Sequence, residues 1–162
     1  KEQPEVLTGM GVTKGTYYLV VGEKTGRVSD IRRSYSLTKS LVAVMPGLEY
    51  ELNESLQDSQ GIRVGEAVDG YISPKGDADF YEFNVYQKGI LSTEVTGVLN
   101  LRLRLTLYDQ DRREIASVEA KDPGESASLE KQVDAGTYSV RIMADPEQNN
   151  VRDKYTLRLR MR

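Results

Sequence analysis

The chain has 162 residues, which fits one domain of moderate size, or one domain and a fraction of a second. A formal net charge of -3 indicates neither nucleic acid nor an acidic membrane surface as a partner. The sequence contains no Cys and no His, which excludes disulfides, thiolate nucleophiles, the common zinc sites and the usual general base.

The beginning of the sequence shows no targeting pattern. Its first residues lack the charged and then apolar segment of a secretion signal, so we expect any export signal to have been removed or to lie upstream. The longest apolar run, residues 41–45, is five residues long, whereas a membrane-spanning helix needs about 18. No membrane span is therefore predicted.

The sequence repeats itself near its two ends. The tripeptide Gly-Thr-Tyr occurs at residues 15–17 and again at 136–138, and neighbouring residues match at offsets of 121 or 120. The matched pairs are Val12 with Val133, Leu19 with Val140, Val21 with Ile142, Arg32 with Arg152, Tyr35 with Tyr155, and Leu37 with Leu157. The second copy has about 90 residues of its own domain before Gly136, and the first has few. The repeat therefore predicts the end of one domain followed by one complete domain of the same kind.

Pro46-Gly47 marks the predicted boundary between the two units. We assign residues 1–45 to the closing strands of a partial domain, 46–48 to a linker and 49–162 to the complete domain. About three strands in residues 1–45 cannot bury two sheet faces unaided. They either dock on the complete domain or pair with missing strands of their own domain or of another chain, and we expect the second arrangement.

Beyond the linker, the predicted elements are one helical turn and a series of strands. Residues 53–60 are the candidate turn, with Asn53 as its cap. Alternation is clearest at residues 101–108, whose four leucines share one face. Similar alternation marks residues 81–85, 91–95, 138–142 and 155–161. Short strands with turns about every ten residues predict an all-β fold, an antiparallel β-sandwich of jelly-roll type.

Tyrosines follow the same alternation. By their place in the strands, four are predicted to enter the core and three to face outward. The inward set is Tyr17, Tyr35, Tyr138 and Tyr155, and the outward set is Tyr18, Tyr86 and Tyr108.

Two acidic segments flank the first strand of the predicted complete domain, at residues 49–54 and 76–80. Alternate residues of an extended segment point to one side, and an Asp-x-Asp pair in a tight loop does the same, so together they offer five or six oxygen ligands. Ca²⁺ takes 6–8 such ligands. The alternative is a set of solvated loop acids with an Asx turn. Asp109 and Asp111 are predicted to form a hairpin turn rather than a second site.

Four motifs occur in a characteristic order: Glu-Leu-Asn-Glu-Ser at 51–55, Gly-Asp-Ala-Asp-Phe-Tyr-Glu-Phe at 76–83, Leu-Thr-Leu-Tyr-Asp-Gln-Asp at 105–111 and Ala-Gly-Thr-Tyr-Ser-Val at 135–140. This order resembles the bacterial pre-peptidase C-terminal domain. The resemblance covers residues 49–162, and the closing strands recur in 12–41. It departs from the family pattern at Leu52, at Glu54 and at Arg112-Arg113, where the family has Pro, Asp or Asn, and a turn glycine.

The resemblance implies a secreted, non-catalytic module found beside proteases and other exported enzymes, often in tandem. Its fold is similar to that of the collagen-binding domain of clostridial collagenases, in which an acidic N-terminal segment and an Asp-x-Asp loop hold calcium. Carried over by position, the calcium ligands are Glu49, Glu51, Asn53, Glu54, Asp77 and Asp79, with the carbonyl of Phe80 as an additional candidate.

The charged residues have two other potential uses. Arginines alternate at residues 102–104 and 158–162, so a basic sheet face could bind a polyanion such as sulfated or uronic-acid polysaccharide; the alternative is a solvated face paired with Glu. The paired carboxylates could also serve a glycosidase, but they are expected to offer neither the cleft nor the burial that such chemistry needs. No catalytic and no cofactor-binding residue is predicted, and the chain is not expected to be an enzyme.

The expected role is that of an accessory module of a secreted, periplasmic or cell-surface bacterial protein. It would position, stabilise or anchor a neighbouring, protease-like domain, with calcium as a stabilising ion. The alternatives are a carbohydrate- or collagen-binding module, whose partner would be extracellular protein or polysaccharide, and a structural spacer of a surface protein.

Overall fold

A computed structural model describes residues 11–22, 25–26, 32, 34–41, 43 and 46–162. Its nine strands lie between Gln60 and Met161, and the described residues contain no helix. The strands are β1 (Gln60–Gly61), β2 (Ala67–Ile72), β3 (Ala78–Val85), β4 (Gly89–Val95), β5 (Arg104–Tyr108), β6 (Glu114–Glu119), β7 (Ala127–Val133), β8 (Gly136–Met143) and β9 (Asn150–Met161). The predicted all-β fold is confirmed. A search of the same residues for a helix able to cross a membrane found none.

The strands form two sheets that face each other as a sandwich. The five-stranded sheet has the order β1-β3-β8-β5-β6 and the four-stranded sheet has the order β2-β9-β4-β7. Neighbouring strands are antiparallel, except that β1 runs parallel to β3. The two closing strands are both interior: β8 lies between β3 and β5, and β9 lies between β2 and β4.

The core fills the space between the sheets with the inward residues of each alternating strand. Leu105 and Leu107 of β5 are fully buried, and Leu101 and Leu103 just before it are buried as well, as the leucine alternation predicted. Burial of each such side chain stabilises the fold by about 1.5–3 kcal/mol. The five-stranded sheet adds Tyr81, Phe83, Val140 and Ile142, and the four-stranded sheet adds Leu91, Val95, Leu157 and Leu159.

The β5–β6 hairpin has the predicted Asp turn. One carboxylate oxygen of Asp109 accepts the N–H groups of Asp111 and Arg113, each at 2.9 Å. Arg112 has a φ of 62°, in the left-handed region that favours glycine, and so occupies the place of a turn glycine. Asp109 is therefore engaged in the turn, which agrees with its prediction as a turn residue.

The segment before β1 crosses from one sheet to the other. Its first part pairs with β2, because Glu49 N–H donates to the Asp69 carbonyl at 2.9 Å and Asp69 N–H donates to the Gly47 carbonyl at 2.8 Å. Further on, the Asn53 carbonyl accepts the Phe80 N–H of β3 at 2.9 Å. The prediction of a helical turn capped by Asn53 is wrong, because Asn53 pairs with β3 and a tight turn begins only at Ser55. The segment thus joins the edges of both sheets.

The described residues between 11 and 43 contain no strand. Val12 forms an isolated bridge with Glu51, whose N–H donates to the Gly11 carbonyl at 2.7 Å. Tyr155 is fully buried as predicted and Tyr138 is half-buried, whereas Tyr17 and Tyr35 are exposed in this structure, contrary to their prediction as core residues. Much of residues 1–45 lies outside the described residues, and the division of the chain into 1–45, 46–48 and 49–162 stays a prediction.

Candidate metal centre

The two acidic segments meet at the side of the sandwich where the crossing segment passes from β2 to β3. Of the six predicted metal ligands, five are buried and Glu54 is exposed. The buried set is Glu49, Glu51, Asn53, Asp77 and Asp79. The expectation that these carboxylates would lack burial is therefore wrong. Local sequence could not show this, because the burial results from the packing of the crossing segment against the loop between β2 and β3.

Glu49 is held by hydrogen bonds to both of its carboxylate oxygens. Oε1 accepts the hydroxyls of Tyr81 and Tyr155 at 3.0 Å each and the Asn53 side-chain amide at 3.3 Å. Oε2 accepts the N–H of Tyr71 at 2.9 Å. Glu49 consequently connects β2 with the inward faces of β3 and β9.

The two tyrosine hydroxyls make more contacts than their hydrogens can fill. They lie 2.5 Å from each other, and the Tyr155 hydroxyl is also 2.7 Å from Oδ2 of Asp79. With the two contacts to Glu49, four close oxygen contacts share two hydroxyl hydrogens. A proton on one of the carboxyl groups would supply a further hydrogen, and a nearby cation would offset the repulsion between the oxygens.

Three buried oxygens in the cluster have no hydrogen-bond partner among the described residues. They are the Oδ1 atoms of Asn53, Asp77 and Asp79. The second oxygen of Asp77 accepts the Ser73 N–H at 2.6 Å, and that of Asp79 contacts Tyr155, so both carboxylates are fixed with one oxygen left over. An unpaired buried oxygen costs about 1–3 kcal/mol. The arrangement offers hard oxygen ligands for a cation.

A second group of oxygens lies at the outer side of the cluster. Glu51, Glu54 and Asp77 each place one carboxylate oxygen within 4.8 Å of the others. Ligands of one Ca²⁺, at 2.3–2.6 Å from the ion, can be separated by up to about 5 Å. This group of acidic residues can hold a metal ion.

The concentrated negative charge raises the acid pKa values. Burial, with the charges of Glu49, Asp77 and Glu54, raises the pKa of Glu51 to about 8. Burial also raises the pKa of Asp77 to about 6, against the opposing hydrogen bond from the Ser73 N–H. The pKa of Asp79 is raised well above its usual value by burial and by Glu49. None of the interactions that shift the pKa values of Glu51, Asp77 and Asp79 comes from a described Lys or Arg.

Gly70 of β2 leaves room for the cluster, and its replacement by alanine is expected to destabilise the fold. A Cβ atom there would lie 2.4 Å from the Tyr155 hydroxyl and 2.7 Å from Oε2 of Glu49. Because both groups are fixed, we expect Gly70→Ala to lower the free energy of unfolding by about 2–3 kcal/mol. Urea unfolding measures this. Gly61→Ala, where a Cβ meets nothing within 4 Å, is the control. An unchanged urea midpoint for Gly70→Ala would contradict the close packing.

Comparison with known proteins identifies a fold and no family. No protein-family model and no curated protein matches the chain. Among solved structures, the pre-peptidase C-terminal domain of a Bacillus anthracis collagenase aligns with a TM-score of 0.54 and 14% identity, over 63% of this chain and 94% of that one. The fold resembles that of a pre-peptidase C-terminal domain. At this identity, the similarity concerns the fold alone.

Two other solved structures align less well. The surface-associated copper-binding protein CorA of Methylomicrobium album BG8 has a TM-score of 0.48 with 7% identity, over 64% of this chain and 98% of CorA. The Yersinia pseudotuberculosis-derived mitogen has a TM-score of 0.43 with 15% identity, over 59% and 84% of the two chains. Neither contributes to the functional argument.

The structure brings all six predicted residues into one region, and their role as ligands stays a prediction. Sequence reasoning missed the two hydroxyl groups and the glycine that complete the cluster. These belong to Tyr81, Tyr155 and Gly70. Strand alternation placed the Tyr155 side chain in the core, but nothing local to the sequence indicated which carboxylates it would contact.

Proposed function

We propose that residues 49–162 form a calcium-stabilised, non-catalytic accessory module of a secreted or periplasmic bacterial protein, which positions, stabilises or anchors a neighbouring domain. The observation that carries the calcium part is the set of three buried oxygens, on Asn53, Asp77 and Asp79, that have no hydrogen-bond partner within the described ranges. A comparison of the protein's Tm in calcium and in chelator tests the calcium part of the proposal.

Calcium suits this donor set on chemical grounds. The cluster contains only carboxylate, amide, hydroxyl and backbone oxygens, which are the ligands that Ca²⁺ prefers. The proposed ligands are Glu51, Asn53, Glu54, Asp77 and Asp79, with Glu49 holding Asn53 in place by the hydrogen bond at 3.3 Å. A bound cation would offset the repulsion between the acids and tie the crossing segment to the loop between β2 and β3. Its role is therefore structural.

A non-catalytic role is supported by the burial of the same carboxylates. Asp79 is 0% exposed and Glu49 is 5% exposed, and both contact the buried tyrosine hydroxyls. Carboxyl groups buried to this extent have almost no surface that a substrate could contact. General acid and base chemistry on a polysaccharide needs two carboxyl groups that flank an accessible bond.

A second candidate function, binding of an acidic polysaccharide, is favoured by an arginine on the outer face of the five-stranded sheet. The Arg141 guanidinium carbon lies 5.9 Å from the ring centre of Phe80 and 5.7 Å from that of Tyr108. Its Nε atom is buried and has no hydrogen-bond partner among the described residues. We call Phe80, Tyr108 and Arg141 the aromatic–arginine patch. An arginine that lies over two rings and forms no ion pair with a described acid suits a carboxylate or sulfate group of a ligand.

A groove lies next to this patch, and its charges are balanced because Glu119 and Asp145 line it together with two arginines. The groove has a volume of about 450 Å³ and is lined in part by Arg102, Arg104 and Met143. Met143 is the strand partner of Arg104, two residues beyond Arg141 on β8, so groove and patch adjoin on one sheet face. An extended acidic polysaccharide could contact both.

Glycan and collagen arrays probed with the full chain distinguish the two candidates. If the patch binds acidic polysaccharide, uronate or sulfate glycans give signal, and Arg141→Gln weakens binding at least about tenfold, which corresponds to about 1.4 kcal/mol. Arg160→Gln, an exposed arginine on the four-stranded sheet, is the matched control. If the chain binds neither glycans nor collagen, the second candidate is eliminated and the positioning role remains.

A further inference from the structure

The first copy of the internal repeat reproduces a local structure of the second copy. The Tyr138 hydroxyl donates to the Asp134 carbonyl at 3.1 Å, four residues earlier, where the chain enters β8. The Tyr17 hydroxyl donates to the Thr13 carbonyl at 3.0 Å, also four residues earlier. Since Tyr17 and Thr13 match Tyr138 and Asp134 at the offset of 121, the repeat extends from sequence to backbone geometry.

The two copies differ in what surrounds them. The Tyr138 ring stacks on Phe83 with ring centres 6.2 Å apart, and the following inward residues of β8 are fully buried. Tyr17 is 48% exposed, and no aromatic ring of the described residues stacks on it. The pairs differ in the same way further on: Leu19, Val21, Tyr35 and Leu37 are 52–72% exposed, whereas their matches Val140, Ile142, Tyr155 and Leu157 are 0–1% exposed.

The topology of the complete domain defines the kind of partner that such a segment fits. β8 is hydrogen-bonded on both sides, to β3 and β5, and β9 on both sides, to β2 and β4. Strands that match β8 and β9 in sequence therefore fit interior positions of a sheet. Such a position has a neighbouring strand on each side and a core beneath one face. Pairing at the outer edge of a finished sheet would leave the inward residues exposed.

We propose that residues 15–22 and 34–41 are the eighth and ninth strands of a second sandwich of the same fold, whose other seven strands are a polypeptide segment outside residues 1–162 with the pattern of β1 to β7. A second copy of this chain is not the fitting partner, because its own β8 and β9 already occupy both positions. The partner must offer a gap in each sheet, an apolar interior and a ring beneath Tyr17 equivalent to Phe83. This proposal is independent of calcium binding and of the module's role.

The test supplies the missing strands from the chain itself. In a fusion protein, residues 46–133, which contain β1 to β7, precede Lys1 of the full chain. The residues between β7 and Gly15 then act as a longer loop, which costs little free energy. We expect backbone amides of residues 15–22 and 34–41 to exchange hydrogen at least about 100-fold more slowly in the fusion protein than in the chain alone.

Two controls make the outcome decisive. In the first control, residues 136–161, which contain β8 and β9, replace residues 15–41 of the fusion protein. This control shows whether the added β1 to β7 can form a complete sandwich. Within the native fusion protein, Leu19→Asp should abolish protection because Leu19 faces the core, whereas Val20→Asp on the outward phase should not. Unchanged exchange at residues 15–41, in a fusion protein whose control folds, would overturn the proposal. So would a chain that dimerises by itself with these residues protected.

Discussion

Calcium added to chelator-treated protein is expected to raise the free energy of unfolding by about 2.7 kcal/mol once free calcium is 100 times its Kd. For a domain of this size, that gain corresponds to an increase in Tm of roughly 10 °C. The reason is that the buried oxygens of Asn53, Asp77 and Asp79 gain a cation only in the folded state. Thermal melts in calcium and in chelator measure the gain.

Single substitutions locate the effect. Asp79→Asn removes a carboxylate whose pKa is raised by burial and by Glu49, so we expect the variant to fold in chelator at least as stably as the natural protein and to lose the calcium gain. Asp122→Asn, at an exposed aspartate remote from the cluster, is the matched control and should retain the gain. A full calcium response in Asp79→Asn would place the ion elsewhere, and no response in the natural protein would refute the site.

Metal-free protein is expected to lose stability as the pH rises from about 4 to about 8. The folded-state pKa values of Glu51 and Asp77 are raised to about 8 and about 6, from usual values of 4.5 and 3.8. A raised folded-state pKa contributes stability that is fully present below the unfolded pKa and is lost as the pH rises through the folded pKa. Each pKa unit corresponds to about 1.4 kcal/mol. After a discount for the partial solvent access of Glu51, we expect a loss of at least about 2 kcal/mol.

Calcium should reverse much of this dependence. The ion binds deprotonated carboxylates, so its stabilising effect should be larger at pH 8 than at pH 5. Urea unfolding at pH 5, 6.5 and 8 measures how the free energy of unfolding changes with pH, once in calcium and once in chelator. Glu51→Gln should flatten the slope in chelator, whereas Glu119→Gln on the exposed edge strand β6 should leave it unchanged. Metal-free protein that is equally stable at pH 5 and pH 8 would show that the acids do not repel one another in the folded state.

Several parts of the fold were predictable because they depend on local pattern. The leucines at 101–107 alternate through β5 and the residues just before it, and each is buried. The Asp109 turn depends on hydrogen bonds across four residues, which the local sequence specifies. The helical turn at residues 53–60 was predicted wrongly, because the pairing of the Asn53 carbonyl with Phe80 of β3 outweighs a capping preference that Asn53 has in isolation.

The metal centre was predictable only as a set of residues. Two acidic segments separated by one predicted strand indicated Glu49 to Asp79 as oxygen donors, and the structure places all of them at one side of the sandwich. Their burial and the shared tyrosine hydroxyls were not predictable. Tyr81 and Tyr155 are 74 residues apart and belong to different sheets, and their 2.5 Å contact exists only because the sheets face each other.

The sequence by itself determined the all-β class, the apolar faces of strands such as β5, β8 and β9, and the repeat of the Gly-Thr-Tyr motif near the two ends. It also excluded cysteine and histidine chemistry, because neither residue is present. The tertiary structure decided that most of the acids are buried, that three buried side-chain oxygens have no hydrogen-bond partner in the part of the chain that the structure describes, and that β8 and β9 lie at interior positions of their sheets. These features depend on which strands become neighbours, and strand alternation specifies a side chain's direction without specifying what it meets there.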